Sequence, residues 1–397
     1  MTWPALTFDT LYSEPSRNGV YKSKEHHGAG VKIVNMGELF AYDVIADQEM
    51  NRLQMNEMEI RKSGLLDGDL LFGRRSLVES GSGKCSLVEG LSEPTTFESS
   101  IIRVRLDQSR ANPRFFFYWF KSHHGKGVIR AIVTGTNVKG ITGNNLKKIV
   151  VVYPPLKTQN SLVSKIRTYD DLIENNRRRI QLLEQAARLL YREWFVHLRF
   201  PGHEHAKIKD GVPEGWKKTL LHEIAEITMG QSPQSKYYNE DGTGLPFHQG
   251  VTNFGVRFPT NQMYCTFEGR MAEPGDILFS VRAPVGRINL NLDKIIIGRG
   301  LAAIRSNRKH QNFLFYQLKN HFFKEDMMGG GAIFAAITKK DLHNVELIQP
   351  PSPLIGMFME HVFPIDRQIE TLNRACGNLT SARDILLPRL MNGEIAV

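Results

Sequence analysis

Few stretches of this sequence carry the residue types of covalent or phosphoryl chemistry, and each lacks a partner that the chemistry needs. Ser80-Gly81-Ser82-Gly83-Lys84-Cys85 sets a lysine behind glycines, the composition of a loop that wraps phosphate with backbone N–H groups. Val78 stands where the first glycine of such a loop belongs, and Cys85 replaces the Ser or Thr that would hold magnesium. Gly329-Gly330-Gly331 follows Met327-Met328 rather than a strand-like run, which excludes a dinucleotide fingerprint. Tyr153-Pro154-Pro155 and Gln349-Pro350-Pro351 lack the leading Asn or Asp that would accept a hydrogen bond from a target amine, so both read as helix stops. The pairs His26-His27 and His123-His124 and the triplet His203-Glu204-His205 are adjacent residues, not ligands at metal spacing. No Gly-x-Ser-x-Gly elbow is present. The expectation is a chain that is not itself an enzyme and binds no metal or cofactor directly.

Binding chemistry is better represented. Arg74-Arg75 follow the strand-like Leu70-Leu71-Phe72, and Lys84 lies in a Gly/Ser-rich loop. Thr136, Asn137 and Lys139 occupy a glycine-bounded turn. Further on, Gln231, Ser232, Ser235, Lys236 and Tyr237 combine amide, hydroxyl, cation and aromatic groups in one stretch. Arg282 takes the post-strand position that matches Arg74-Arg75, Arg287 follows, Arg299 stands between glycines, and Lys339-Lys340 close a second turn. Arginine suits bidentate contact with guanine, and lysine suits phosphate. These residues are the candidate DNA contacts.

They are positioned by elements that occur twice. Gly68-Asp69-Leu70-Leu71-Phe72 recurs as Gly275-Asp276-Ile277-Leu278-Phe279, and Phe116-Phe117-Tyr118-Trp119 resembles Leu314-Phe315-Tyr316-Gln317. Gly140-Ile141-Thr142 with Leu146 and Pro154-Pro155 recurs as Ala336-Ile337-Thr338 with Leu342 and Pro350-Pro351. Asp170-Asp171-Leu172-Ile173 matches Asp366-Arg367-Gln368-Ile369. Collinear matches with slowly drifting offsets indicate a duplicated unit with loop insertions. Short β-type runs mixed with helices predict α+β domains over residues 1–155 and 201–350. Each is followed by a long helix, over 156–200 and 351–397.

Those helices carry a heptad stripe. Ile166, Ile173 and Ile180 hold one register, with Tyr169, Asn176, Leu183 and Leu190 in the other. The second copy reads Val362, Ile369 and Cys376 beside Ile365, Leu372, Leu379 and Leu386. Such a stripe predicts a coiled-coil seam, and the repeat makes the two helices natural partners. Pro364 predicts a late start or a kink in the second helix. Leu172, Leu182, Leu189, Trp194 and Phe195 lie off the seam and are expected to dock on partner subunits.

Composition narrows the class. The 397 residues suit two domains, and 51 Lys and Arg against 41 Asp and Glu leave a charge of +10, which favours a polyanion. The excess lies in both mixed segments and the first connector, and not in the C-terminal helix. No apolar run reaches spanning length and no signal peptide is seen. Three scattered cysteines suit a reducing cytoplasm.

The chain resembles the specificity (S) subunit of bacterial type I restriction–modification systems. The resemblance rests on Val31-Lys32-Ile33-Val34-Asn35-Met36-Gly37, Asp69 through Ser76, and Gly83-Lys84-Cys85 in the first copy. In the second it rests on Gly230-Gln231-Ser232-Pro233, Val281 through Gly286, and Gly298-Arg299-Gly300-Leu301. The helix ends Trp194-Phe195-Val196 and Leu386 through Ile395 add to it. It implies two globular target-recognition domains, pseudo-two-fold related, separated by an antiparallel two-helix coiled-coil spacer. It also implies a split, asymmetric double-stranded DNA site and two modification subunits that methylate adenine with S-adenosylmethionine. Restriction subunits would use ATP and magnesium. Two other readings stay open from sequence: a coiled-coil scaffold with two protein-binding domains, and a self-contained methyltransferase. Steep salt dependence of DNA binding would separate the first, and failure to bind S-adenosylmethionine alone the second.

Helix geometry yields a test. A helix over about residues 158–196 spans roughly 58 Å. Inserting one heptad after Ile180 keeps Ile166, Ile173 and Leu183 in register and adds about 10 Å. The expected result is unchanged half-sites with a gap about three base pairs longer, read by sequencing methylated DNA. An enlarged protein that binds with its original gap contradicts the helices as ruler.

Overall fold

A computed structural model describes residues 3–76, 81–135, 139–209, 211–322 and 336–395. The chain forms two compact units, Met1–Asn175 with Ala375–Val397, and Asn176–Arg374. Both are α+β, and each contains part of each of two 40-residue helices, Leu156–Phe195 and Ser352–Met391.

The same sheet is built in both units. In the first, Tyr12–Asn18, Ile101–Leu106, Leu70–Gly73 and Cys85–Val88 lie side by side, all antiparallel, and Val44–Ile45 adds a parallel edge. In the second, Ala225–Met229, Leu301–Ser306, Ile277–Ser280 and Ile288–Leu290 repeat the first four in the same order. A further parallel pair recurs as His27–Val34 with Thr95–Phe97, and Leu245–His248 with Ile295–Ile297. The central strands are buried on both faces, which is why they read as unbroken apolar runs.

The repeated Gly-Asp pair has a physical task. Gly68 and Gly275 turn the chain at φ +91° and +90°, a conformation a side chain would strain. The following carboxylates then hold two things at once. Asp69 Oδ2 accepts the Leu66 amide, and Asp276 Oδ2 the Glu273 amide, both at 2.8 Å. Each carboxylate also takes a forked arginine from the neighbouring strand, Arg105 on Asp69 and Arg305 on Asp276, at 2.7–2.8 Å.

An aromatic helix covers each sheet. Pro113–Lys121 starts on Asn112, whose side chain accepts the Arg114 and Phe115 amides, with Pro113 pre-set for the first turn. Phe115 through Phe120 are all buried, and Phe120 meets Phe72 and Phe8 at ring distances of 5.0 and 5.1 Å. Gln311–Phe322 takes the same place in the second unit, burying Phe313 through Leu318.

A tyrosine on each aromatic helix bonds a long helix. Tyr118 donates to Asp170 and Tyr316 to Asp366, both at 2.6 Å. Burial, and then Asp170, raises the Tyr118 phenol well above its ordinary pKa, so it remains a donor. Asp170 is also paired with Arg383 at 2.7 Å. Asp366 accepts from Arg257 Nη2 at 2.5 Å and from Asn312. Arg257 is buried, donates to Glu184 at 2.9 Å, and lies over the Phe315 ring. Burial opposes its charge, but Glu184, Tyr316 and Asp366 outweigh that cost and keep it protonated.

The long helices pair antiparallel within each unit. In the first, Asp170 meets Arg383 and the Ile173 carbonyl meets Cys376. In the second, Glu184 and Asp366 share Arg257, while Trp194 packs on Phe358. Ile166, Ile173, Ile180, Val362, Ile369 and Leu372 are buried. The other seam positions, Tyr169, Asn176, Leu183, Leu190, Ile365, Cys376, Leu379 and Leu386, are half-buried.

Two expectations need correction. The second long helix does not start late: it begins at Ser352 and continues through Pro364, where one backbone donor is lost on an exposed face. Trp194 and Phe195 do not face outward, since both are buried against Phe358, and Phe195 also against Phe313 and Trp216. Leu172, Leu182 and Leu189 are 45%, 57% and 47% exposed.

The charge-assisted tyrosine bond gives a stability prediction. Tyr316→Phe is expected to cost about 1.5–3 kcal/mol in denaturant unfolding. Asp366→Ala is expected to cost more, about 3–5 kcal/mol, because it strips a buried arginine of one carboxylate. Equal losses would mean that Glu184 alone neutralises Arg257.

Candidate nucleic-acid interface

The second unit carries its polar residues on a loop held against a turn. Gly230 leaves the edge strand by donating to the Leu301 carbonyl, and Gln231 donates to that of Ile297. A Cβ on Gly230 would lie 2.2 Å from the Gly298 carbonyl, so only glycine permits this approach. Glycines flanking Arg299 have the same role, because a Cβ at Gly298 or Gly300 would strike Gln249. Ser232 then ties loop to turn. Its Oγ accepts the Arg299 amide at 3.1 Å and donates to Gln249 Oε1 at 2.8 Å.

This packing opens a cleft of about 1050 Å³ lined by Ser232, Ser235, His248, Gln249, Asn253, Gln262 and Arg299, among others. Amides, hydroxyls and one guanidinium match the donors and acceptors on base edges. On the loop's other side a hollow of about 570 Å³ holds Gln231, Lys236, Tyr237, Phe267 and Arg270. Lys236 lies over the Tyr237 ring, which meets Phe267 at 5.1 Å.

Arg282 and Arg287 project from a separate loop. Ser280 pins it, donating to the Pro284 carbonyl at 2.6 Å and accepting the Arg287 amide at 2.9 Å. Both arginines are exposed. Arg282 bridges Ala336, and Ile337 donates to the Val281 carbonyl, so Lys339 and Lys340, exposed on Lys339–His343, follow directly on this contact. The first unit repeats the arrangement: Arg75 pairs with Gly140, Ser76 with Lys139, and Ile141 donates to the Arg74 carbonyl. Arg75 is exposed, and Arg74 and Lys139 are half-buried. Lys84 donates to the Phe40 carbonyl at 2.6 Å, and burial pulls its ammonium pKa down. Thr136 and Asn137 lie outside the described residues.

The sequence reading missed the first unit's counterpart of the 231–238 loop. Gly19 donates to the Ile101 carbonyl and Val20 to that of Phe97, the bonds made by Gly230 and Gln231. The adjoining loop carries Tyr21, 86% exposed, and Lys22, paired with Glu59. The signal was the shared glycine, hidden because neighbouring residues differ. His248 and Gln249 were also missed, lacking any motif. In the first unit the position of Gln249 is held by Asn35, which immediately precedes the helix Met36–Ala41 and donates its backbone amide to Glu38.

Among the described residues no cluster of His, Cys, Asp and Glu could hold a metal ion, and no helix is long and apolar enough to cross a membrane. The profile of the type I restriction modification DNA specificity domain matches residues 42–185 and again 213–373. The chain belongs to that family. It is similar to the chain named for the specificity subunit of the MjaX type I restriction enzyme of Methanocaldococcus jannaschii, 30% identical over 97% of this chain and 92% of the relative. The MjaIX specificity subunit of the same organism is 23% identical over 95% of this chain and 89% of its own. The S subunit from M. genitalium shares the fold at a TM-score of 0.57 and 17% identity, covering 98% of this chain and 96% of that one. A member of this specificity family recognises DNA sequence within a restriction–modification complex and does not itself catalyse. Its partners are DNA and the other subunits of that complex.

His248 gives a pH prediction. It is 2% exposed, its Nε2 meets Asn261 Oδ1 at 2.9 Å, and Asn261 donates to Asp293. Burial holds its pKa below the ordinary histidine value. Folded His248 therefore resists a proton that the unfolded chain takes up below about pH 6.5. Stability is expected to fall as pH drops from about 7 to 5, and His248→Gln to flatten part of that slope in thermal melts. An unchanged slope would assign it to other histidines.

Proposed function

We propose that each unit of this specificity protein reads one half of a split, asymmetric site in double-stranded DNA. One framework present twice, with different side chains on the same loops, carries the reading. The framework shares sheet order, the Asp-turn and the Tyr–Asp bond, while Gln249 and Asn35, or Ser232 and Tyr21, differ at matching places. A basic chain with exposed Arg75, Arg282, Arg299, Lys339 and Lys340 suits phosphate and base contacts.

Two modification subunits then methylate adenines flipped from the duplex, and restriction subunits translocate and cut. S-adenosylmethionine, and ATP with magnesium, belong to those subunits and not to this chain. The exposed Leu182 and Leu189, one heptad apart, suit contact with a modification subunit. A cytoplasmic complex acting on cellular DNA is the setting this implies.

The test exchanges residues 1–155 for the corresponding domain of another specificity protein and assays the complex with its modification subunit. One half of the methylated site should change and the other persist. Arg282→Ala should relax only the half read by the second unit, costing about 1–3 kcal/mol of discrimination. Equal weakening on every duplex would make Arg282 a phosphate contact, and a site altered in both halves by the exchange would contradict the reading.

A further inference from the structure

We infer that Gln249 reads a purine in the half-site of the second unit, with Ser232 as the residue that positions its amide. The inference rests on the proposed function and assigns one contact within it. Gln249 is exposed on the wall of the 1050 Å³ cleft, yet its surroundings are built. Its backbone carbonyl accepts the Gly300 amide at 3.1 Å, and Gly298 donates to the preceding carbonyl of His248 at 2.8 Å. Two glycines are thus committed to bringing a turn against this residue. His248, directly beneath in the chain, is buried and anchored on Asn261, which fixes the strand end from which Gln249 projects.

The side chain is oriented as well. The Arg299 amide occupies one lone pair of Ser232 Oγ, and the hydroxyl hydrogen goes to Gln249 Oε1. Among the described residues nothing else bonds this amide, so its Nε2 keeps both N–H donors for a ligand and Oε1 keeps one lone pair. A glutamine so held offers a donor to purine N7, and to an adenine it can add acceptance from N6. An amide fixed before binding loses less rotamer freedom on contact than a free surface glutamine. The matching residue of the first unit, Asn35, is one methylene shorter and turns its amide back on the Ile33 carbonyl at 3.4 Å, so the two half-sites meet different groups at this place, as an asymmetric target requires.

The experiment uses the full chain assembled with its modification subunit and a randomised duplex library, with methylated products sequenced. Gln249→Ala should lower preference about 10- to 100-fold at a single base pair of one half-site. Gln249→Glu, which replaces donors by acceptors, should shift that position toward cytosine, whose N4 donates. Ser232→Ala should relax the same base pair, and Ser232→Thr, which keeps the hydroxyl, should restore it. A loss spread evenly over all duplexes, or over both half-sites, overturns the assignment of Gln249 alone. A wild-type complex with no sequence preference overturns the proposed function beneath it.

Discussion

A phenol donating to a carboxylate ties each sheet to a long helix, and both units are organised around that bond. Tyr118 to Asp170 and Tyr316 to Asp366 have the same length, 2.6 Å, and the same chain order, aromatic helix first and long helix after. A carboxylate at such a place loses hydration, so it must be repaid in hydrogen bonds and positive charge. The first unit supplies Arg383 from the other long helix. The second supplies Arg257 and Asn312, and Arg257 draws in Glu184 from the other helix. In both cases the neutralising contact also brings the second long helix to the sheet. The tyrosine bond and the contacts that neutralise its acceptor together join three elements in each unit.

With the framework fixed, the loops are free to differ. The glycine that leaves the edge strand makes the same backbone bonds at Gly19 and Gly230, so the loop departs identically in both units. The residue after it, Val20 or Gln231, still bonds a strand in both units, and beyond that the side chains part: Tyr21-Lys22 in one unit, Ser232-Pro233 in the other. Such a division between an invariant scaffold and variable polar loops suits a protein whose two copies must recognise different things.

The duplication and both long helices were legible in the sequence because they rest on local signals: apolar runs, heptads and Pro-Pro stops. Asp69 and Asp276 stood out as repeats, although their forked arginines, Arg105 and Arg305, lie too far along the chain for spacing to reveal. Long-range partnership hid the rest. Arg257 belongs to no motif or repeat, yet it is buried between Glu184 and Asp366. Trp194 and Phe195 read as an outward face because the heptad stripe does not show the aromatic cluster of Phe313 and Phe358 waiting for them. Gln249 carries no motif and gains its meaning only from Ser232 and two glycines distant in sequence. Lys84 was placed among phosphate contacts, whereas its ammonium bonds the Phe40 carbonyl, an interaction with no trace in composition.

The central claim is that one framework, used twice in this chain, recognises two separate stretches of DNA. It is tested most directly by sequencing the methylated genome of cells that carry this protein with its modification subunit, at single-base resolution. The methylated motif should be bipartite: two short, unlike half-sites, each with a methylated adenine, flanking a gap of fixed length and free sequence. A continuous motif, or two identical half-sites, would contradict it.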